Sequence, residues 1–276
     1  MKNYEKLEKS KGVLYFVFDT DQFLYSKIAE QSAKLVKKFL GLPITIITDQ
    51  QTNIDFDVDN IIRVNTDNEI TNTRYSSSVG HNTSWRNGYR YLAYALSPYD
   101  ETFVLDIDYL VLNNNLLKLS ETSLDYCLYK NNQYIDLETN HVETMGIFSL
   151  PYLWATAIFF RKTKASELLF DLVKRVQFNY SYYRALYNIS AGNYRNDYAF
   201  TIADNVLKGY QLTAHIPWNL KTVTKNIKNL TYRDNKVFVS YQDTALVLPM
   251  DDLHILDKIF LQSENFKLFT TEVISA

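Results

Sequence analysis

The chain of 276 residues holds one cysteine, seven glycines, five prolines and four histidines, and each scarcity removes a class of protein. With Cys127 alone there is no disulfide framework and no thiolate cluster for zinc, which points to a reducing compartment such as the cytoplasm. Seven glycines leave no G-x-G-x-x-G fingerprint, no phosphate loop of the G-x-x-x-x-G-K type and no G-x-S-x-G elbow. The histidines (His81, His141, His215 and His254) are scattered, and no H-E-x-x-H occurs. Dinucleotide dehydrogenases, P-loop enzymes, α/β-hydrolases and zincins therefore lack their signatures here. Long apolar runs are missing too. The longest, Gly146 to Phe160, contains Pro151 and is shorter than the roughly 20 residues that a bilayer demands, so it reads as a loop and a buried strand. Met1 to Lys11 is charged and has no apolar core of a signal peptide, so no membrane segment is expected.

What is present describes an ordinary globular chain, with hydrophobic residues at 46% and charged residues at 22%. Its length suits one large domain or two closely packed halves. Aromatic residues are abundant, with 22 Tyr and 16 Phe, which suits stacking on sugars or bases as well as core filling. The net charge of −2 is unevenly spread: residues 161–236 carry 13 Lys/Arg against 5 Asp/Glu, a balance of +8, and the remainder carries −10. Such a split can mark a face for an anionic partner or a solvated helix surface.

Hydrophobic patterning predicts alternating strands and helices. Val13 to Phe18 is a continuous β-branched and aromatic run, as expected of a strand buried on both faces of a parallel sheet. Residues 22–40 place Leu24, Ile28, Leu35 and Phe39 at helical spacings, and Gly41 ends that helix. Strands follow at Ile44 to Thr48 and Ile61 to Val64, completing a β-α-β start whose helical crossover implies parallel strands. Residues 65–83 read as a long polar loop, and a helix is expected from Ser84 to Leu96, where Pro98 interrupts the pattern. Thr102 to Leu105 is a further buried strand, with an apolar continuation through Tyr109 to Leu112. A strand around Ala155 to Phe160, a helix from Lys164 to Phe178, a polar-aromatic stretch to Tyr194 and a helix from Asn196 to Lys208 come next. The tail after Trp218 reads as short strands and loops, with Met250 to Lys258 a turn near the site.

Paired carboxylates are the chemistry that remains. Asp-x-Asp occurs four times, at Asp19/Asp21, Asp55/Asp57, Asp57/Asp59 and Asp106/Asp108, so the spacing alone selects nothing. Context separates the copies. The pairs from Asp55 to Asp59 lie in an acidic loop and read as solvated, whereas Asp19/Asp21 and Asp106/Asp108 each close a predicted strand. Carboxylates at the carboxyl ends of parallel strands sit where ligands bind in open α/β sheets. Such a pair can hold one hard cation, Mn²⁺ or Mg²⁺, which in turn binds a diphosphate.

The run from Phe103 to Val111, containing Asp106-Ile107-Asp108, resembles the metal-binding D-x-D segment of GT-A glycosyltransferases, most like the family-8 type. The order of features along residues 12–260 is similar as well. Phe18-Asp19-Thr20-Asp21 resembles the nucleoside-binding edge, Arg86 and Arg90 occupy the region where the family carries a basic residue facing the donor, and Ala155 to Phe160 resembles the acceptor-side strand. Asn196-Asp197 looks like the polar pair beside the reacting sugar, and His254 with Lys258 looks like the late His and Lys that complete the metal shell and contact the diphosphate. The acceptor strand lacks the usual Asn-Ser-Gly, and the Gly and Lys-Pro-Trp that normally follow the histidine are absent, which leaves the anomeric outcome and the third metal ligand open.

The resemblance implies a GT-A (Rossmann-like) α/β fold in a single domain of 1–276, with a mixed, mostly parallel sheet flanked by helices. Residues 12–112 would form the half that binds the nucleotide-sugar donor and 113–276 the acceptor half. It implies metal ligation by Asp106, Asp108 and His254, donor contacts from Asp19, Asp21, Arg86 and Asp106, and catalytic roles for Asp197 and Lys258. In the basic acceptor half, Tyr180, Tyr182, Tyr183, Tyr187 and Tyr194 interleave with Arg184. Tyr182 and Arg184 are the candidate acceptor contacts there, by stacking and by phosphate neutralisation. The glycine-poor, Asn- and Tyr-rich make-up resembles bacteriophage proteins, so a modified base in phage DNA is one candidate acceptor. A small metabolite, a protein and a glycan are others. Two alternatives stand beside this reading. A nucleotidyltransferase would carry a Gly-rich loop after the first strand, and Phe18 to Leu24 has none. A carbohydrate- or calcium-binding module would need no nucleotide at all.

Overall fold

The computed structural model describes residues 10–66, 88–137, 144–145, 150–190, 193–211, 215–241 and 244–276, together with the backbone course of 72–76, 81–85 and 139–141. The first strand, β1 (Lys11–Phe16), leads to helix α1 (Tyr25–Phe39), then β2 (Ile44–Thr48) and β3 (Asn60–Arg63). Two strands β4 (Asn72–Ser76) and β5 (His81–Trp85) pair as an antiparallel ribbon, followed by a 3₁₀ turn at Arg90–Leu92 that runs into the short helix α2 (Ala93–Leu96). Strands β6 (Glu101–Leu105), β7 (Tyr109–Leu110), β8 (Tyr126–Tyr129), β9 (Asn132–Tyr134), β10 (Thr139–His141), β11 (Thr144–Met145), β12 (Leu150–Pro151) and β13 (Trp154–Arg161) come next. Helices α3 (Lys164–Phe178), α4 (Tyr180–Leu186) and α5 (Asn196–Leu207) precede β14 (Leu220–Val223), β15 (Asn229–Arg233), β16 (Lys236–Ser240), β17 (Ala245–Pro249) and β18 (Leu253–Ile255). The chain closes with α6 (Lys258–Leu261) and α7 (Glu264–Ser275).

The central sheet has the order β3-β2-β1-β6-β13-β8. Five of its strands run the same way and β13 alone opposes them. Val13, Leu14 and Tyr15 of β1 are wholly buried, as their unbroken apolar run predicts for a strand covered on both faces. Tyr99 closes over the amino end of β1, where a Cβ on Gly12 would lie 2.3 Å from its ring, so no larger residue fits without moving the ring. Gly41 ends α1 with φ 63, a conformation that glycine reaches at no steric cost. This is the mixed, mostly parallel α/β architecture expected.

The chain leaves β1 toward β2 and β3 on one side and returns through β6 on the other. The strand order therefore reverses between β1 and β6, and the crevice beyond their carboxyl ends is the place where open α/β sheets bind ligands. A second sheet, β10-β9-β14-β18-β7, brings the residues after β6 against the far end of the sequence.

Three sequence expectations need correction. The polar loop over 65–83 is in part the β4–β5 ribbon, because Thr73, Tyr75, Thr83 and Trp85 favour extended backbone on either side of Gly80. The helix expected from Ser84 begins only at the 3₁₀ turn of Arg90, since Ser84 and Trp85 belong to β5. The tail is not only strands and loops. In α7, Phe266, Phe269, Thr270 and Val273 form a buried stripe at spacings of three and four, and Ser263 caps the helix by accepting from the Phe266 N–H at 3.3 Å.

Candidate metal and donor site

Asp106 is the first residue beyond β6, and its backbone N–H is held by the Thr156 carbonyl of β13 at 2.8 Å. The chain then turns, with the Tyr109 N–H donating to the Asp106 carbonyl at 3.0 Å, and β7 begins. This turn points Asp108 toward β18. There β7 pairs antiparallel with β18 so that Tyr109 faces His254, and the Ile255 N–H donates to the Asp108 carbonyl at 3.0 Å. A sequence separation of 146 residues is closed by this one ladder. Asp106, Asp108 and His254 consequently offer ligand atoms that all lie within 4.8 Å of one another, with His254 Nε2 3.4 Å from an Asp108 carboxylate oxygen.

Two cations sit on these carboxylates. The Lys258 ammonium bonds Asp108 and also reaches the Ile255 carbonyl at 3.3 Å. Its position is set by α6, whose cap Asp257 accepts from the Phe260 N–H at 3.0 Å and from the Ile227 N–H at 2.9 Å. Arg90 is buried. Its guanidinium bonds Asp106, donates to the Ala155 carbonyl at 2.9 Å, and lies 5.5 Å from the centre of the Phe16 ring. The other face of His254 meets Thr222, whose hydroxyl lies 3.3 Å from Nδ1 while donating to Asn132 at 2.7 Å. That contact turns Nε2 toward Asp108, the kind of outer support that fixes a ligating imidazole.

Behind β7, Asp252 is buried and accepts from the Tyr109 hydroxyl at 2.7 Å and from the Leu112 N–H at 2.8 Å. Burial pushes its carboxyl up to about 6, against the pull of those donors. The Tyr109 hydroxyl also meets that of Tyr129 at 2.7 Å, and the Trp218 indole N–H donates to Tyr129 at 2.9 Å, so this polar cluster ties β7 and β8 to the tail.

Asp197 opens α5. Its carboxylate accepts from the Ala155 N–H at 2.9 Å and from Arg195 at 2.7 and 3.1 Å. Ala155 thus lies between the two groups, bonded to Asp197 through its N–H and to Arg90 through its carbonyl. Burial alone would raise the Asp197 carboxyl, but the Arg195 charge and the Ala155 N–H outweigh it and hold the group below the usual carboxylate range. A carboxylate so held is a weak base at neutral pH and a strong acceptor of hydrogen bonds.

The other candidates divide. Asp19 follows the end of β1, and its carboxylate accepts the Ser26 N–H and hydroxyl, each at 2.8 Å, in place of the side-chain cap that Leu24 cannot give α1. Asp21 is exposed on the same loop. Arg86 lies outside the described residues; the cation that meets Asp106 is Arg90, four residues on. Asp57 is 92% exposed and pairs with Lys37, and Asp59 accepts the Ile44 N–H at 2.8 Å, so the acidic loop stays away from the cluster. Tyr182 is exposed on α4, and Arg184 donates to the carbonyls of Ile189 and Ser190 at 3.1 and 3.3 Å, closing the end of its own helix. Sequence reasoning missed Thr222 and Asp252, neither of which belongs to a motif, and did not foresee that Arg195 pairs with Asp197, two residues on.

No family model matches the sequence, and no curated protein matches it. Solved structures resemble it at low identity. The glycosyltransferase GlyE of Streptococcus pneumoniae TIGR4 is 11% identical over 72% of this chain and 43% of its own, with a TM-score of 0.39. The galactosyltransferase LgtC, solved with donor and acceptor sugar analogs, is 15% identical over 70% of this chain and 69% of its own, with a TM-score of 0.43. Mouse xyloside xylosyltransferase 1 is 9% identical over 73% of this chain and 83% of its own, with a TM-score of 0.44. The chain spans less than half the length of GlyE. Among the described residues, no helix is long and apolar enough to cross a membrane.

Proposed function

We propose that the chain is a metal-dependent glycosyltransferase of the GT-A type, moving a sugar from a nucleoside-diphosphate sugar to a hydroxyl acceptor. The observation that carries this reading is the convergence of Asp106, Asp108 and His254 within 4.8 Å, at the crevice where the order of a mostly parallel sheet reverses. Two carboxylates and one imidazole are a donor set suited to Mn²⁺ or Mg²⁺, and Thr222 on the far side of His254 supplies the second contact such a ligand needs. The ion would supply Lewis-acid neutralisation of a departing diphosphate.

The roles of the side chains follow from their surroundings. Lys258, placed by the cap of α6 within reach of Asp108, stabilises negative charge on the leaving phosphate. Arg90 fixes the orientation of Asp106, and Arg86 remains the candidate for a direct donor contact. With the Asp19 carboxylate engaged by Ser26, contact with the nucleoside falls to Asp21 and the loop backbone. Asp197, kept ionised by Arg195, orients the donor sugar by accepting from its hydroxyls and is a poor candidate for the base that deprotonates an acceptor.

The test is hydrolysis of a panel of nucleotide sugars with and without Mn²⁺, alongside thermal melting with the corresponding nucleoside diphosphates. At least one donor is turned over only with metal, and its diphosphate raises the melting temperature in a metal-dependent way. Turnover that survives chelation would overturn the metal dependence, and indifference to every nucleotide would overturn the transferase reading and leave a cation-binding module.

A further inference from the structure

Among the described residues, exposed apolar side chains concentrate around α4. None of its seven residues is buried. Of the twelve large hydrophobic side chains exposed among the described residues, five lie between Phe178 and Tyr210: Phe178, Tyr182, Leu186, Val206 and Tyr210. The first three follow one another at a spacing of four, and Tyr182 and Leu186 therefore share one face of α4. Phe178 is 58% exposed, Tyr182 63% and Leu186 50%.

The patch is held in place from beneath. Tyr187 is buried, and its hydroxyl meets that of Tyr210 at 2.7 Å, joining the end of α4 to the turn after α5. In that turn Gly209 and Tyr210 both adopt left-handed backbone, with φ 61 and 62. Glycine does so freely, but a tyrosine rarely does, and here the conformation presents a ring that stays 56% exposed. Along the chain between Asp171, itself exposed, and Asp197 the charge has one sign. Between Asp171 and Asp197 the sequence has Lys174, Arg175, Arg184 and Arg195 and no acidic residue. Lys174, Arg175 and Arg184 are exposed, and among the described residues none has an acidic partner.

We propose that the face formed by the end of α3 and by α4, with Lys174, Arg175 and Phe178 from α3 and Tyr182 and Leu186 from α4, docks this protein on an anionic lipid bilayer surface. A nucleic acid or a glycan gains from basic residues and tyrosines, but offers nothing to an exposed leucine. A bilayer interface uses all three kinds of side chain: leucine and phenylalanine at the acyl boundary, tyrosine at headgroup depth, lysine and arginine on the phosphates. The face also adjoins the candidate site. The Tyr180 ring of α4 packs 5.5 Å from that of Tyr194, the Tyr194 hydroxyl donates to Asn196, and the next residue is Asp197. Docking through α4 therefore brings the start of α5 to the membrane surface, and the acceptor is a lipid-anchored hydroxyl; this last step rests on the glycosyltransferase reading.

The experiment is co-sedimentation of the full chain with vesicles of phosphatidylcholine alone and of phosphatidylcholine with phosphatidylglycerol. The protein pellets with the anionic vesicles, far less with the neutral ones, and is released by salt. The triple substitution Phe178→Ser, Tyr182→Ser, Leu186→Ser weakens that binding at least about tenfold with an unchanged melting temperature, because these side chains are already exposed. The pair Lys174→Gln and Arg175→Gln weakens binding to the anionic vesicles alone, by about fivefold per charge. Failure to pellet with either vesicle, triple-variant binding equal to the parent, or saturation of the same face by short duplex DNA with no vesicle response would each overturn the proposal. Nucleotide-sugar hydrolysis on the same preparations separates the two readings. Hydrolysis without vesicle binding sinks the docking face and leaves the site, whereas vesicle binding without hydrolysis of any donor upholds the docking face and removes the acceptor assignment.

Discussion

The ends of β1 and β6 carry the same spacing of aspartates, on neighbouring parallel strands, and the structure uses them differently. At the end of β1, Asp19 is turned back on its own chain, bonding the first turn of α1 through Ser26 at 2.8 Å. At the end of β6, Asp106 and Asp108 are joined by groups from four other segments: Arg90 before the strand, Ala155 through Arg90, His254 on β18 and Lys258 on α6. A motif becomes a site when distant elements supply its complement. At β1 the nearest helix takes the carboxylate first.

That contrast can be tested at both ends. The largest effect is expected of Asp108→Asn, which removes a buried ligand charge: metal-dependent turnover falls at least about a hundredfold with the fold intact, while Asp57→Asn, on the exposed loop, changes nothing measurable. Equal activities in a donor-hydrolysis assay would mean that the wrong copy has been chosen. Next comes Lys258→Ala. Its ammonium faces the position where leaving-group charge develops, so kcat drops by about ten- to a hundredfold and KM moves little. A change confined to KM would instead mark uniform binding of donor and transition state.

Asp197→Asn sharpens the comparison through pH. Because Arg195 holds the carboxyl below its ordinary value, it is ionised throughout the neutral range, and its contribution to stability is complete above the unfolded carboxylate pKa of about 4 and lost as pH falls through the lower folded value. The variant is therefore slower at every pH above about 5 with an unaltered profile shape, measured as kcat/KM against pH. Loss of an acid limb near neutrality in the variant would make Asp197 a base after all. The smallest effect belongs to Asp19→Ala. It loses a helix-capping interaction, about 1 kcal/mol in denaturant unfolding, and leaves metal affinity where it was.

The sequence made the sheet legible because its strands are buried on both faces. Val13 to Phe18 and Thr102 to Leu105 are unbroken apolar runs that no other context explains, and α3 begins and ends where its pattern says, with Thr163 capping it through the Ser166 N–H at 3.3 Å. The region before β6 was less legible, since polar segments such as β4 and β5 carry no hydrophobic period. The same difficulty extended the expected helix back to Ser84, which belongs to β5; among the described residues the helical backbone starts at Arg90. The junction of β7 with β18 had no local signal, because a ladder that pairs Tyr109 with His254 is written in neither segment separately. His254 was reached through resemblance, and Thr222 and Asn132 behind it were reached by nothing in the sequence.

The most direct test is a titration of Mn²⁺ into the protein, followed by electron paramagnetic resonance in the presence of a nucleoside diphosphate, on the parent chain and on two paired variants. The account predicts one tight site in the parent, the same site in Asp19→Asn/Asp21→Asn, and affinity lowered at least about tenfold in Asp106→Asn/Asp108→Asn. Unchanged affinity in the second variant, or loss of the site in the first, would contradict it.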